Sequence, residues 1–336
     1  MRLHDIAIVG ASGLVGRKIL EVLIERNFPI GKVITISSDA SVGKDVIVKG
    51  KSFKLQKLTH ESFKNIEFVF FSAGGAISHE YAPIAANDGC IVIDNSSAFR
   101  MTETVPLVVP EVNRKDIFKH KGIISNPNCS TIQLVMALKP LDNQFKIKRV
   151  VVSTYQSVSG AGYKGESTLE AEIKGLKPEQ YHSEIHPFPH KIAYNAIPQV
   201  DIFFDDGYTK EEYKMINETR KILGRKDLDI TATCVRIPVM VGHSESVNIE
   251  FEKKVSPAGV KDALNSFKGI VIVDDPANNQ YPMPIDCANK DEVFVGRIRQ
   301  DNSVKNGINL WVVSDNVRKG AATNAVQIAE EYLKGK

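Results

Sequence analysis

Cysteine is scarce in this sequence: four in 336 residues, with no two forming a C-x-x-C pair. Cys90, Cys129, Cys234 and Cys287 lie too far apart to suggest a zinc site or a disulfide framework, so a reducing compartment fits. Charge of one sign is not in excess either. The 43 basic and 40 acidic residues leave a formal net charge of +3, which gives no electrostatic case for a nucleic acid or membrane partner. A small anionic substrate needs only two or three local cations and would not show in that total. No apolar run approaches membrane-spanning length. The start, Met1-Arg2-Leu3-His4-Asp5, has neither the apolar stretch nor the small-residue cleavage site of a secretory signal, and the expected location is cytoplasmic. Internal repeats and low-complexity tracts are absent. What is present is an ordinary globular composition, 43% hydrophobic and 25% charged, at a length that favours two domains.

The first third alternates strand and helix patterns. Ile6–Val9, Val33–Ile36, Phe68–Phe71 and Ile91–Asp94 are short, continuous, mostly β-branched or aromatic runs, and Ile123-Ile124 is a shorter fifth. Between them, Leu14, Val15, Ile19, Leu20, Leu23 and Ile24 recur at helical spacing, and a second helix is expected from Ser78 to Asn87. Continuous apolar strands separated by helices predict a parallel sheet buried on both faces, a doubly wound Rossmann-type α/β fold. After residue 128 the pattern changes. A helix is expected over 130–138, a strand over 150–154, and a helical piece over 165–174. A proline-rich stretch covers 178–198. Thr209-Lys210-Glu211-Glu212 reads as a capping box, with Gly224 as the stop. Strands over 232–238, 246–252, 293–299 and 308–313 complete an α+β second domain with a mixed sheet. The expected division is residues 1–128 plus a returning C-terminal helix over 317–336, and 129–316 as the catalytic and dimerisation domain.

Two segments carry chemistry. Gly10-Ala11-Ser12-Gly13-Leu14-Val15-Gly16 is a G-x-x-G-x-x-G loop between the first strand and the first helix. Glycines there let backbone approach a dinucleotide pyrophosphate, and the helix N-terminus supplies amides and a positive dipole end. The residues that choose between NAD and NADP should follow the second strand, where Asp39 suits a ribose hydroxyl and Ser38, Ser41 and Lys44 suit a 2′-phosphate. In Asn126-Pro127-Asn128-Cys129-Ser130-Thr131, Pro127 breaks any preceding element and Asn128 caps the helix that follows. Cys129 then opens that helix, where the dipole favours the reactive thiolate. The other three cysteines sit in apolar or featureless contexts and are read as structural. A thiolate attacking an acyl group needs a proton-transfer partner and oxyanion donors. His243 is the candidate, placed in the turn Val241-Gly242-His243-Ser244. His182, His186 and His190 have a spacing that suggests a metal, but Pro187 and Pro189 break the helix it would need, so no metal is expected.

The Asn126–Thr131 segment, Tyr155-Gln156-Ser157-Val158-Ser159-Gly160-Ala161-Gly162, and Arg236-Ile237-Pro238 with His243-Ser244-Glu245-Ser246 together resemble the aspartate-semialdehyde dehydrogenase family. The resemblance runs from Ile6 to the last helix. It implies NADPH-dependent reductive dephosphorylation of L-aspartyl-4-phosphate to aspartate 4-semialdehyde through a cysteine thioester, a step towards lysine, threonine, methionine and diaminopimelate. Cys129 matches the nucleophile, His243 the acid/base group, and Gln156 the residue that orients the acyl group. Arg236 matches the arginine for the substrate carboxylate, Glu211 the contact for its amine, and Arg100 and Lys214 the phosphate-binding cations. Gly10, Ser12, Gly13, Leu14, Val15 and Gly16 match the pyrophosphate loop, Ser38, Ala40 and Ser41 the 2′-phosphate corner, and Ser159, Gly160 and Asn316 the nicotinamide end. One departure bears on the cofactor. The family's 2′-phosphate arginine is replaced by Ala40, so NADP with relaxed selectivity is expected and NAD becomes possible. The resemblance also implies a homodimer, with a tetramer as an alternative. Two other readings use the same residues: N-acetyl-glutamyl-phosphate reductase, whose usual Pro-Gly-Cys-Tyr-Pro-Thr disagrees with Pro127–Thr131, and a Cys-His acyltransferase or hydrolase with a vestigial nucleotide fold.

Overall fold

The structure, a computed structural model, describes residues 2–176 and 187–335. Two compact units emerge: Met1–Asn128 with Ala321–Lys336, and Cys129–Gly320. The return to the first unit begins four residues later than the sequence reading places it. Asp315 explains the delay, because its carboxylate accepts from the amides of Val317 and Arg318, and its carbonyl accepts from that of Gly320.

The first unit is built on β1 (His4–Val9), β2 (Ile30–Ser37), β3 (Asp45–Val48), β4 (Lys51–Lys57), β5 (Phe68–Phe71), β6 (Ile91–Asp94) and β7 (Ile123–Ser125). Their order is β3-β4-β2-β1-β5-β6-β7, and every neighbouring pair is parallel except β3 with β4. Helices α1 (Leu14–Glu25), α2 (Gly75–Asn87) and α3 (Pro110–Asn113) connect them. All four residues of β5, Phe68 to Phe71, are fully buried, which is why this strand reads as an unbroken apolar run. The chain travels outward from β1 through β2 to the edge strand β3, turns back into β4, then crosses to β5 on the other side of β1. Strand order therefore reverses between β1 and β5, and ligands of such sheets bind outside the carboxyl ends of the strands at such a reversal. A Cβ on Gly10, whose φ is +90°, would lie 2.4 Å from the Ser72 carbonyl, so only glycine lets the loop after β1 pass the loop after β5. The C-terminal helix Thr323–Lys334 packs on this unit. Its Asn324 donates to the carbonyl of Val108 and to Asn126 Oδ1, and so anchors the segment that leads into Cys129.

The second unit comprises α4 (Cys129–Phe145), β8 (Ile147–Gln156), α5 (Tyr163–Ile173), α6 (Lys210–Leu223), β9 (Asp229–Arg236), β10 (His243–Phe251), α7 (Pro257–Asn265), β11 (Ile270–Ile272), α8 (Pro284–Cys287), β12 (Val293–Asp301) and β13 (Gly307–Ser314). Its mixed sheet runs β11-β12-β13-β10-β8-β9. Alternation decides the faces: Val150, Val152, Thr154 and Gln156 of β8 are buried while their neighbours are partly exposed. Helices α4 and α6 pack against each other and against this sheet. Helix α6 opens on the capping box, with Thr209 and Glu212 each bonded to the other's amide, and Gly224 ends it in the left-handed region at φ 69°. Helix α4 continues through Pro140 to Phe145, beyond the Leu138 end read from the sequence. The lost amide is offset because Leu141 and Phe145 bury their side chains beyond the proline. Among the described residues no helix is long and apolar enough to cross a membrane. His182 and His186 lie outside the described residues.

Candidate active site

Cys129 is the first residue of α4 and is partly exposed, whereas Cys90, Cys234 and Cys287 are buried. Burial pushes the thiol of Cys90 up to about 11 and that of Cys287 up to about 12, and drives that of Cys234 higher still. Those three have no means of ionising near neutrality. Beside Cys129, Ser130 Oγ accepts from Gln156 Nε2 at 2.6 Å, and the same amide nitrogen donates to Glu211 Oε1 at 3.1 Å. Strand β8 thus ends by clamping the first turn of α4 to α6. Glu211 also meets Lys214 at 2.9 Å, and Lys214 reaches Asp201 at 2.9 Å. Burial alone would lower the Lys214 pKa, but Glu211 and Asp201 outweigh it and hold the group above its ordinary range. The lysine matched to phosphate is therefore shared between two carboxylates.

Arg236, at the end of β9, is 8% exposed. One guanidinium nitrogen donates to the Ser157 carbonyl at 2.7 Å, and the group sits over the Phe188 ring with 5.8 Å to its centroid. No carboxylate lies within ion-pair distance of it among the described residues. Its pKa is lowered by burial against the attraction of Glu211 and of Cys129. A buried fork without a protein counter-ion is ready for a carboxylate ligand.

The sequence places His243 in a turn open to a cleft; the structure corrects this. His243 begins β10, pairs with Ser314 of β13, and is fully buried. Its Nδ1 accepts from the Ser157 amide at 3.0 Å. A backbone N–H can only donate, so Nδ1 is unprotonated and the ring proton resides on Nε2. Nε2 has no partner among the described residues. Burial first, and the Arg236 charge second, lower the pKa of this ring to about 3. The resting histidine is neutral and offers a donor. Gly160 closes over the pair: a Cβ there would fall 2.7 Å from the Arg236 guanidinium and 3.3 Å from the His243 ring. Asn316 is a hub. Its Oδ1 accepts from Gly242 N and from Ser157 and Ser159 Oγ, and its Nδ2 donates back to Ser159. Ser157, which carries the tautomer of His243, was missed as a site residue; its signal was its place in the Gln156–Gly160 run.

In the first unit, α1 starts at Leu14 and Val15 with Gly13 at its cap and no side chain on its first amides. A Cβ on Gly16 would lie 2.2 Å from the Gly10 carbonyl. Ser12 Oγ lies 2.6 Å from Ser37 Oγ, which ties the loop to the end of β2. This bare, uncapped turn at the strand-order reversal fits a dinucleotide pyrophosphate. Ser38, Asp39 and Ala40 form an exposed turn that continues into Ser41, and Asp39 pairs at 3.0 Å with Lys57 of β4, a cation the sequence reading did not single out. Lys57 stands opposite Ser37 in register, so the β4 strand that escaped the sequence reading brings it there. Arg100 follows β6 and donates to the Asn95 carbonyl at 2.7 Å.

The chain matches two family models, "Semialdehyde dehydrogenase, NAD binding domain" over residues 5–120 and "Semialdehyde dehydrogenase, dimerisation domain" over residues 138–319. An aspartate-semialdehyde dehydrogenase of Aquifex aeolicus is 55% identical over 334 residues, 98% of each chain. The chain belongs to the aspartate-semialdehyde dehydrogenase family. The Bacillus subtilis member is 49% identical across 98% of this chain and 97% of its own. Among solved structures, aspartate semialdehyde dehydrogenase II from Vibrio cholerae complexed with ASA superposes with a TM-score of 0.94 at 45% identity, covering 99% of each chain. A Candida albicans member with NADP superposes at 0.77 with 25% identity, again over 99% of each. Membership in the aspartate-semialdehyde dehydrogenase family fixes the two-domain α/β architecture, an oxidoreductase with a pyridine-nucleotide domain, and a dimerisation domain in the second unit. It favours neither alternative reading of the sequence.

Proposed function

We propose that the protein interconverts L-aspartyl-4-phosphate and L-aspartate 4-semialdehyde, with NADP(H) as the preferred cofactor, through a thioester on Cys129. The observation that carries this is the gathering of Gln156, Glu211, Arg236 and His243 around the helix turn that Cys129 opens. In the reductive direction, Cys129 Sγ attacks the acyl carbon, the C–S bond forms, and the bond to phosphate breaks. Arg236, which has no protein counter-ion among the described residues, grips the α-carboxylate, and Glu211 takes the ammonium group. Gln156, braced by Ser130, orients the acyl group. His243 donates from Nε2 to the oxygen as it gains charge, and its low basicity keeps it neutral beside Arg236. A bound nicotinamide supplies the hydride. When the aldehyde is released, the C–S bond breaks and Cys129 leaves as thiolate.

Arg100 and Lys214 are assigned to phosphate, Lys214 by exchanging a carboxylate partner for it. The glycine loop Gly10–Gly16 takes the pyrophosphate, with Ser159, Gly160 and Asn316 shaping the nicotinamide end. Ser38, Ser41 and Lys57 replace the absent arginine at Ala40, with Asp39 partly neutralised by Lys57; this supports NADP with relaxed selectivity. The enzyme acts as a cytoplasmic homodimer in the biosynthesis of lysine, threonine and methionine. Phosphate-dependent oxidation of aspartate semialdehyde, measured separately with NADP and NAD, tests the reading. Activity that needs phosphate and prefers NADP is expected; no activity with either nucleotide would refute it.

A further inference from the structure

The described part of the proline-rich stretch, residues 187–198, has no role in the reaction derived above, yet it meets Arg236 twice. At the backbone, Ile197 and Arg236 form an isolated antiparallel bridge: the Ile197 amide donates to the Arg236 carbonyl at 2.9 Å, and the Arg236 amide donates to the Ile197 carbonyl at 2.8 Å. At the side chain, the Phe188 ring lies against the guanidinium, 5.8 Å from its carbon to the ring centroid. The stretch is itself held. One carboxylate oxygen of Glu172, on α5, accepts from the amides of Ile192 and Ala193 at 2.9 and 2.8 Å. Phe188 is 6% exposed and packs in a cluster with Val158, Leu169, Ile192 and Ile197. Leu169 and Glu172 share a face of α5, which therefore supplies both the apolar and the charged anchor. Pro187 and Pro189 narrow the backbone choices around Phe188.

We propose that Phe188 is a positioning residue for substrate recognition: its ring fixes the plane of the Arg236 guanidinium and so sets the affinity for the substrate's α-carboxylate. This rests on the reading of Arg236 as the clamp for that carboxylate. The hydrogen bond to the Ser157 carbonyl holds one guanidinium nitrogen and by itself permits rotation about that contact. A ring against the flat face of the guanidinium opposes the rotation, because the planar cation is attracted to the aromatic face. A fork already in its binding orientation loses less rotamer freedom when a carboxylate arrives. The ring also keeps water from the arginine, and the attraction between guanidinium and carboxylate grows as water is removed. The α-carboxylate is not a reacting group, so both effects act alike on bound substrate and transition state. They belong in KM rather than in kcat.

Phe188→Leu keeps an apolar side chain in the cluster and removes the aromatic face. In the oxidation assay, at a temperature where circular dichroism shows the protein folded, it should raise KM for aspartate semialdehyde by about 5- to 30-fold and change kcat by less than about threefold. With 3-aminopropanal, the same aldehyde without the α-carboxylate, kcat/KM should change by less than about threefold, because Arg236 then has nothing to grip. A residue that only supports the fold would lower activity on both aldehydes alike. Phenylglyoxal labelling of Arg236, followed by mass spectrometry, should be at least about threefold faster in Phe188→Leu, as its guanidinium loses the ring that covers and holds it. Labelling needs no substrate, so it reads the hold of Phe188 on Arg236 even if wild type proves inactive on aspartate semialdehyde. If Phe188→Leu does not fold, Phe188→Met fills more of the space of the ring and carries the same expectations. Wild-type KM and labelling in the variant, or an equal loss on both aldehydes, would overturn the proposal.

Discussion

Replacing Arg236 with methionine should destroy activity while leaving the ligand-free protein at least as stable. The side chain is almost wholly buried with no counter-ion, and its pKa is lowered by that burial. An unpaired buried charge costs several kcal/mol. The hydrogen bond to the Ser157 carbonyl returns about 1.5–3 kcal/mol, and the Phe188 face about 0.5–2 kcal/mol. Methionine fills similar space without the desolvation cost, so the net change should be about 0–2 kcal/mol in favour of the variant. At about 2–4 °C per kcal/mol, Tm should hold or rise by a few degrees. Catalysis should fall sharply, because a fork contact to a substrate carboxylate is worth about 3–4 kcal/mol, or roughly 10²- to 10³-fold in kcat/KM. Scanning calorimetry without ligand and initial rates of semialdehyde oxidation measure the two effects. A Tm lowered by more than about 4 °C, or a kcat/KM near wild type, would refute the reasoning, since Arg236 would then be a structural residue.

His243 has a folded-state pKa of about 3 against an ordinary 6.5, so the unfolded chain binds the extra proton and stability should drain away as pH falls from 6.5 towards 3. Urea unfolding across that window should show a shallower loss for His243→Asn; an unchanged slope would mean the ring is charged in the folded protein. Ala40→Arg should shift the NADP-to-NAD ratio of kcat/KM towards NADP by about tenfold or more, through a charge-assisted contact of about 1.4 kcal/mol per tenfold. A ratio that stays put would place the 2′-phosphate away from this turn.

Much of the fold was legible because burial leaves a mark on sequence. Fully buried strands such as Phe68–Phe71 must be apolar throughout, and Thr209 with Glu212 announce their helix by the cap they form. The β3–β4 hairpin escaped because Lys51–Lys57 is a largely exposed polar strand whose pairing, not its composition, defines it. That omission hid Lys57, whose meeting with Asp39 depends on strand register. The place of Cys129 at the start of α4 was legible from the proline, asparagine and helix pattern around it. The burial of His243 was not, since the Gly242–Ser244 surroundings resemble an exposed turn until strands β8 and β13 are known to flank it.

The most direct test of the central claim is to mix enzyme with aspartate semialdehyde and NADP in the absence of phosphate, quench with acid, and locate the acyl group by peptide mass spectrometry. A single aspartyl adduct on the peptide containing Cys129, removed when phosphate is added before the quench, is expected. No adduct there, or one on Cys90, Cys234 or Cys287, would contradict the account.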